Sequence, residues 1–181
     1  MSRGAQCSQR WAVFISGTGS NLQALLECTF ENPPVLVVSN SAKAPGLGKA
    51  RRSGVATHVL SLPLDWKNLK LDLKQKNIYN LFLLGFMRIL PKDFVEDVDF
   101  RILNLHPSLL PLYPGLRAFE RAYEEQAPLG ATVHEVVAQV DSGKILKQNS
   151  MRRASNFLES RLRLSFLEQS LVREVWANES F

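Results

Sequence analysis

The sequence predicts an α/β chain, with a doubly wound, mostly parallel (mixed) sheet and helices on both faces. Three observations point there. Short apolar runs alternate with amphipathic segments through the first hundred residues, the pattern of successive β-α-β units. A turn rich in small residues, Ser16-Gly17-Thr18-Gly19-Ser20-Asn21, joins the first apolar run to the first amphipathic segment. After His106 the pattern changes to a proline-stiffened loop, a β-rich stretch and one long helical segment.

Taken in order, Trp11 to Ile15 (WAVFI) is continuously apolar, as a strand buried on both faces should be. Asn21 to Glu27 reads as a helix with Leu22, Leu25 and Leu26 on one side. Val35 to Val38 is a second strand, entered from Pro33-Pro34, and Leu47 to Arg52 a short helix closed by Gly54. Thr57 to Leu60 is a third strand, Leu69 to Lys76 has helical charge spacing, and Leu81 to Leu84 is a fourth strand ending at Gly85. Asp93 to Asp97 reads as a helical turn and Ile102 to Leu105 as the fifth strand. Pro107, Pro111, Pro114 and Gly115 then stiffen a loop, because proline fixes φ and withholds a donor. A helix near Ala118 to Glu125 is followed by β-rich Gly130 to Val137, which Ile145 to Gln148 can pair with. Asn156 to Trp176 is a long amphipathic helix, with Leu164, Leu167, Leu171 and Val175 at three- and four-residue steps. No repeat or linker divides the sequence. One domain over residues 1–181 is expected, with a Rossmann-like half over 1–100 and a second half with the terminal helix over 101–181.

Composition narrows the classes. The 181 residues are 45% hydrophobic and 22% charged, which suits a globular domain rather than a disordered chain. A formal net charge of +5 favours anionic partners only weakly, since Lys and Arg form no block. Nucleic acid is therefore not expected as a partner. The two cysteines, Cys7 and Cys28, lie in no CxxC pair and read as inert thiols in a reducing compartment. The polar stretch from Met1 to Arg10 has no apolar signal segment, and the longest apolar run, Leu81 to Leu90, is too short to cross a bilayer. A cytoplasmic location and no membrane contact are the expectation.

Three places could carry chemistry. Gly17 to Asn21 lets backbone approach a ligand closely at a helix start, which suits a phosphate; the alternative is a plain strand-to-helix turn. A dinucleotide would want a third glycine near Leu22 and an acidic residue after the second strand, where Ser39-Asn40-Ser41 stands. At the carboxyl end of the fifth strand, alternation puts Asn104 and His106 on one side, where an amide and an imidazole could polarise a carbonyl. The alternative is a strand-end Asn and a packed His. Asp141-Ser142-Gly143 is a turn whose Asp could be structural or functional, and His134 could share its pocket or sit in the core. His58, His106 and His134 show no metal-ligand spacing, so no metal is expected, and no GxSxG elbow or P-loop is present.

Four stretches, ISGTGSNLQALLE (Ile15 to Glu27), GFMRIL (Gly85 to Leu90), NLHPSLLPLYPGL (Asn104 to Leu116) and GATVHEVVAQVDSGKIL (Gly130 to Leu146), occur in the order typical of the folate-dependent formyltransferases. The chain resembles that family, on its purine-synthesis branch. The resemblance implies the formyltransferase fold and a metal-free reaction. In it, 10-formyltetrahydrofolate, a reduced-folate co-substrate, gives its formyl group to the amine of glycinamide ribonucleotide. It implies Asn104, His106 and Asp141 as the catalytic trio and Gly19, Ser20 and Asn21 as the phosphate turn. It further implies that the folate packs against Met87, Arg88, Ile89, Leu90 and Asn104. His134 would orient Asp141, and Glu168, in what looks like the family's REH-type helix, would touch the acceptor's amino end. A monomer or homodimer is implied.

The sequence also departs from the family pattern. It is trimmed around Ser61 to Asn80, carries Met151-Arg152-Arg153 where an acidic helix start is expected, and has Arg117 where a histidine commonly follows YPGL. Within the family, a sugar-nucleotide N-formyltransferase or a formyltetrahydrofolate hydrolase remains an alternative. A degenerate folate- or nucleotide-binding module is another. A tRNA formyltransferase would need a second C-terminal domain and the hydrolase an extra N-terminal one, for which no room is expected. The trio in an open crevice predicts a His106 ring that titrates above its ordinary value of about 6.5, held charged by Asp141.

Overall fold

The computed structural model describes residues 10–28, 32–61 and 63–179; Cys7 and the polar start of the chain lie outside them. The strands are β1 Trp11–Ile15, β2 Leu36–Ser39, β3 Ala56–Val59, β4 Asn80–Leu83, β5 Arg101–His106, β6 Leu129–Glu135 and β7 Ile145–Met151. The helices are α1 Ser20–Cys28, α2 Pro45–Arg52, α3 Trp66–Gln75, α4 Lys92–Val95, α5 Ala118–Glu124 and α6 Phe157–Glu179. One seven-stranded sheet runs in the order β3-β2-β1-β4-β5-β6-β7. β1 to β5 pair in parallel, and β6 and β7 join antiparallel. The mixed, doubly wound sheet matches the sequence expectation. Its elements begin and end within three residues of the predicted limits, some shifted, some longer and some shorter.

Those shifts have local causes. α2 begins at Pro45 because proline's fixed φ suits a first helical position. α3 begins three residues earlier than the apolar spacing indicates, because the Asp65 carboxylate accepts from the Asn68 backbone N–H. α6 starts despite the unusual Met151-Arg152-Arg153 approach, because the Asn156 side chain accepts from the Glu159 N–H at 2.9 Å. Arg153 secures that approach. Its guanidinium donates to the carbonyls of Ala122, Tyr123 and Ala127 and lies 4.3 Å from the centre of the Tyr123 ring.

Strand alternation divides the core between two faces. Trp11, Val13, Ile15, Phe82, Leu103 and Leu105 face α1, α2, α5 and α6. Ala12, Phe14, Val38, Leu81, Leu83 and Ile102 face α3 and α4. α6 packs on α1, β6 and β7, and the tilted Trp11 and Trp176 rings, 5.5 Å apart, tie its end to β1. The sequence order reverses beside β1, with β2 on one side and β4 on the other. A crevice opens beyond the carboxyl ends of the strands at such a switch point. Ser16 fastens that edge: its hydroxyl donates to Asn40 Oδ1 at 2.6 Å and accepts from the Met87 N–H at 2.7 Å. No helix among the described residues is long and apolar enough to cross a membrane.

Candidate active site

β5 delivers Asn104 and His106 to one cavity. The antiparallel register sets His134 of β6 directly opposite Asn104. Asp141 arrives on the loop after β6, with its backbone at φ 51°, a left-handed conformation that Asp tolerates better than most residues. Gly143 lets that loop press against β6, since a Cβ there would lie 1.9 Å from the Glu135 carbonyl oxygen.

The polar groups form a chain. His106 Nδ1 is 3.3 Å from Asp141 Oδ2, and His134 Nε2 is 3.4 Å from Asp141 Oδ1. Asn104 Nδ2 lies 3.2 Å from His134 Nε2, while His134 Nδ1 donates to the Glu135 carbonyl at 2.8 Å. In that tautomer His134 Nε2 accepts from the Asn104 amide, whose second N–H is left for a ligand. His106 Nε2 donates to the Tyr113 carbonyl at 2.9 Å, and the Gly115 N–H donates to Asp141 Oδ2 at 2.7 Å. The loop after β5 therefore supplies two backbone anchors, from Tyr113 at φ 55° and Gly115 at φ 78°.

The charges follow from these contacts. Burial pushes the Asp141 carboxyl up, but its contact with His134, the hydrogen bond from Gly115 and the pull of His106 more than offset it, leaving it below the ordinary carboxylate value. For His106 the expected direction is reversed. Burial lowers the ring below the ordinary imidazole value, against the Tyr113 carbonyl and Asp141, which both favour the charge. The crevice is open, but the ring sits in its floor at 5% exposure, so desolvation wins. Both ring nitrogens face acceptors, so either neutral tautomer sets one lone pair against an oxygen. The ring is poised to take up a proton when negative charge develops nearby.

The cavity above these groups measures about 530 Å³, the size of many small-molecule sites. Met87, Arg88 and Ile89 after β4 line it, with Asn104, His106, Leu116, Val140 and Asp141. Met87, Ile89, Leu116 and Val140 are exposed, an apolar surface around a polar floor. Leu90 departs from expectation. It is buried with Phe94 and Ile102 on the α3/α4 face and does not line the cavity, because the chain turns inward there to enter α4. Although His106, His134 and Asp141 lie close together, among the described residues no group of three or more His, Cys, Asp or Glu side chains could hold a metal ion.

Gly19, Ser20 and Asn21 stand at the start of α1, outside the cavity lining. Gly19, at φ 67°, packs on α2 so closely that a Cβ would lie 2.8 Å from Gly46 Cα. Lys49 Nζ reaches the Gly19 carbonyl at 3.3 Å. Asn21 Nδ2 donates to Glu168 Oε2 at 3.2 Å, bringing the buried Glu168 of α6 to the turn. Burial raises the Glu168 pKa, opposed by Arg161 and Asn21. Sequence reasoning missed the backbone anchors on the trio, Lys49 and Arg161. None of them carries a motif signal, and only the packing of α2 and α6 on α1 brings the two side chains to the site.

Fold and site together define a class: an α/β protein whose switch-point crevice holds an amide, an imidazole and a carboxylate beside a glycine turn at a helix start. Residues 9–163 match the model of the family described as formyl transferase, and the chain belongs to that family. It is 42% identical over 153 residues to the trifunctional purine biosynthetic protein adenosine-3 of Homo sapiens, covering 78% of this chain and 15% of that protein. It is 39% identical over 149 residues to the phosphoribosylglycinamide formyltransferase of Escherichia coli (strain K12), covering 75% and 69% of the two chains. The crystal structure of phosphoribosylglycinamide formyltransferase from Anaplasma phagocytophilum superposes with a TM-score of 0.85 at 36% identity, covering 91% of this chain and 83% of that one. The chain thus spans about 15% of the length of the human trifunctional relative.

Proposed function

We propose that the protein transfers a formyl group from 10-formyltetrahydrofolate to the amine of glycinamide ribonucleotide, a step of purine biosynthesis. The observation that carries this reading is the meeting of Asn104, His106 and Asp141 in one cavity with an apolar rim. The relatives' names supply the acceptor. The pterin end of the folate lies among Met87, Arg88, Ile89 and Val140, and the acceptor's phosphate on Gly19, Ser20 and Asn21. Glu168 meets the acceptor from α6.

The acceptor amine attacks the formyl carbon and gives a tetrahedral oxyanion. The free N–H of Asn104 donates to that oxygen, a contact worth about 3 kcal/mol in comparable sites. As the charge develops, His106 takes up a proton from solvent, returned when the oxyanion collapses, and its charged ring, donating to Asp141 and the Tyr113 carbonyl, stabilises the oxygen. Asp141 helps to move a proton from the attacking amine to the departing folate nitrogen. His134, held by Glu135, fixes Asn104 and Asp141 in place. No step calls for a metal. The reaction is placed in the cytoplasm, with a monomer or homodimer as the working unit.

The test is a formyl-transfer assay offering glycinamide ribonucleotide, a sugar-nucleotide amine and water as competing acceptors. Preferred formylation of the ribonucleotide supports the reading. Hydrolysis alone, or preference for the sugar nucleotide, overturns it.

A further inference from the structure

Arg161 of α6 lies between the two halves of the site. It lines the cavity with Asn104, His106 and Asp141, yet its Nη1 is also 3.8 Å from Oε1 of Glu168, which Asn21 ties to the glycine turn. The Phe119 ring, 5.5 Å from its guanidinium carbon, supports it from a second direction. Ring and carboxylate hold the guanidinium in place. The 3.8 Å contact is too long for a hydrogen bond, and among the described residues no hydrogen bond uses its N–H groups. A planar fork of unused donors beside a cavity is suited to the oxygens of a phosphate.

Of the other cations nearby, Arg88 lines the cavity on the β4 side, in the proposed folate wall. Arg117 is paired with Glu124 on the surface, and Lys49 donates to the Gly19 carbonyl. A phosphate on the turn would also lie near the buried Glu168, and the repulsion between like charges needs a compensating cation. Arg161 is the cation that contacts Glu168.

We propose that Arg161 is a specificity-determining residue of the acceptor half, using its open guanidinium donors to favour a phosphorylated acceptor over its dephosphorylated counterpart. The inference rests on the proposed function for the identity of the acceptor. Arg161 does not act on the formyl group, so its effect falls on acceptor choice and not on the chemical step. At 48% side-chain exposure it can be replaced without opening the core.

The test compares wild type, Arg161→Gln and Arg161→Lys. Each is assayed with glycinamide ribonucleotide and with the same acceptor lacking its phosphate. The ratio of kcat/KM for the two acceptors should fall about tenfold or more in Arg161→Gln. Arg161→Lys should recover part of it, because lysine keeps the charge and loses the fork. A merely structural loss would weaken both acceptors alike and leave the ratio unmoved, which overturns the proposal. So does a rise confined to the KM for folate. If wild type formylates neither acceptor, the proposed function fails, and calorimetry with ribose 5-phosphate still decides the role of Arg161. Binding weakened about tenfold or more in Arg161→Gln sustains it; equal binding, or none by wild type, removes it.

Discussion

His106 has one ring nitrogen on the Tyr113 carbonyl and the other on Asp141, and it is buried. Its titration should therefore fall below about 6.5 in the free protein, as burial outweighs both partners. Asp141→Asn should lower it further by removing the nearby negative charge. NMR titration of the ring in both proteins checks the two shifts, and an unmoved ring in the variant would separate Asp141 from His106. A ring harder to protonate folded than unfolded adds stability above pH 6.5 relative to lower pH, and stability declines as pH falls through 6.5 toward the folded pKa. The same Asp141→Asn variant should fold normally and turn over roughly two orders of magnitude more slowly. Single-turnover kinetics at saturating folate and acceptor would measure this. Gly19 responds differently from what its motif alone indicates. With φ at 67° and Gly46 Cα in the space of a Cβ, Gly19→Val would disturb the packing of α1 on α2, rather than only weaken acceptor binding. Even Gly19→Ala should cost about 1–3 kcal/mol, read from urea unfolding.

Among the elements, α6 does most to join the sheet to the site. One of its faces buries Leu164, Leu171, Val172, Val175 and Trp176, and the same face carries Glu168 toward Asn21. Trp176 stacks at a tilt on Trp11 and donates to the Asn32 carbonyl at 3.1 Å. Trp176→Ala should cost about 3–5 kcal/mol, the range for a buried aromatic, and lower the urea midpoint accordingly. An unchanged midpoint would mean that this end of α6 is not coupled to β1. The approach to α6 is held differently from a family-type acidic start. Arg153 gathers three carbonyls at the end of α5, and Asn156 caps the helix.

At the scale of the molecule, the sheet order puts the glycine turn after β1, the Met87 to Ile89 segment after β4 and the Asn104–His106 pair after β5 along one edge. A ligand in this crevice touches several elements that are far apart in the chain, so it should stabilise the whole fold. A reduced folate at about one hundred times its dissociation constant should add roughly 2.7 kcal/mol. That should appear as a rise of several degrees in Tm. A melting curve unmoved by the folate at any concentration would remove it from the cavity.

Local chemistry made the framework legible in the sequence. Continuous apolar runs mark strands covered on both sides, the proline and glycine positions mark the loops, and strand alternation puts Asn104 and His106 on one face. Those signals depend on neighbours in the chain, which the sequence displays directly. What they could not supply were relations between distant segments. The sequence left open whether Asp141 was only a turn former, and packing sets it against His106, His134 and Gly115. Leu90 looked like part of the folate wall until the turn into α4 buried it. The direction of the His106 shift depends on how much water the ring loses, a property of the assembled crevice that no motif encodes. Arg161 and Lys49 likewise acquire their places only when α6 and α2 pack around α1, because charge and burial are set by what surrounds a side chain in space.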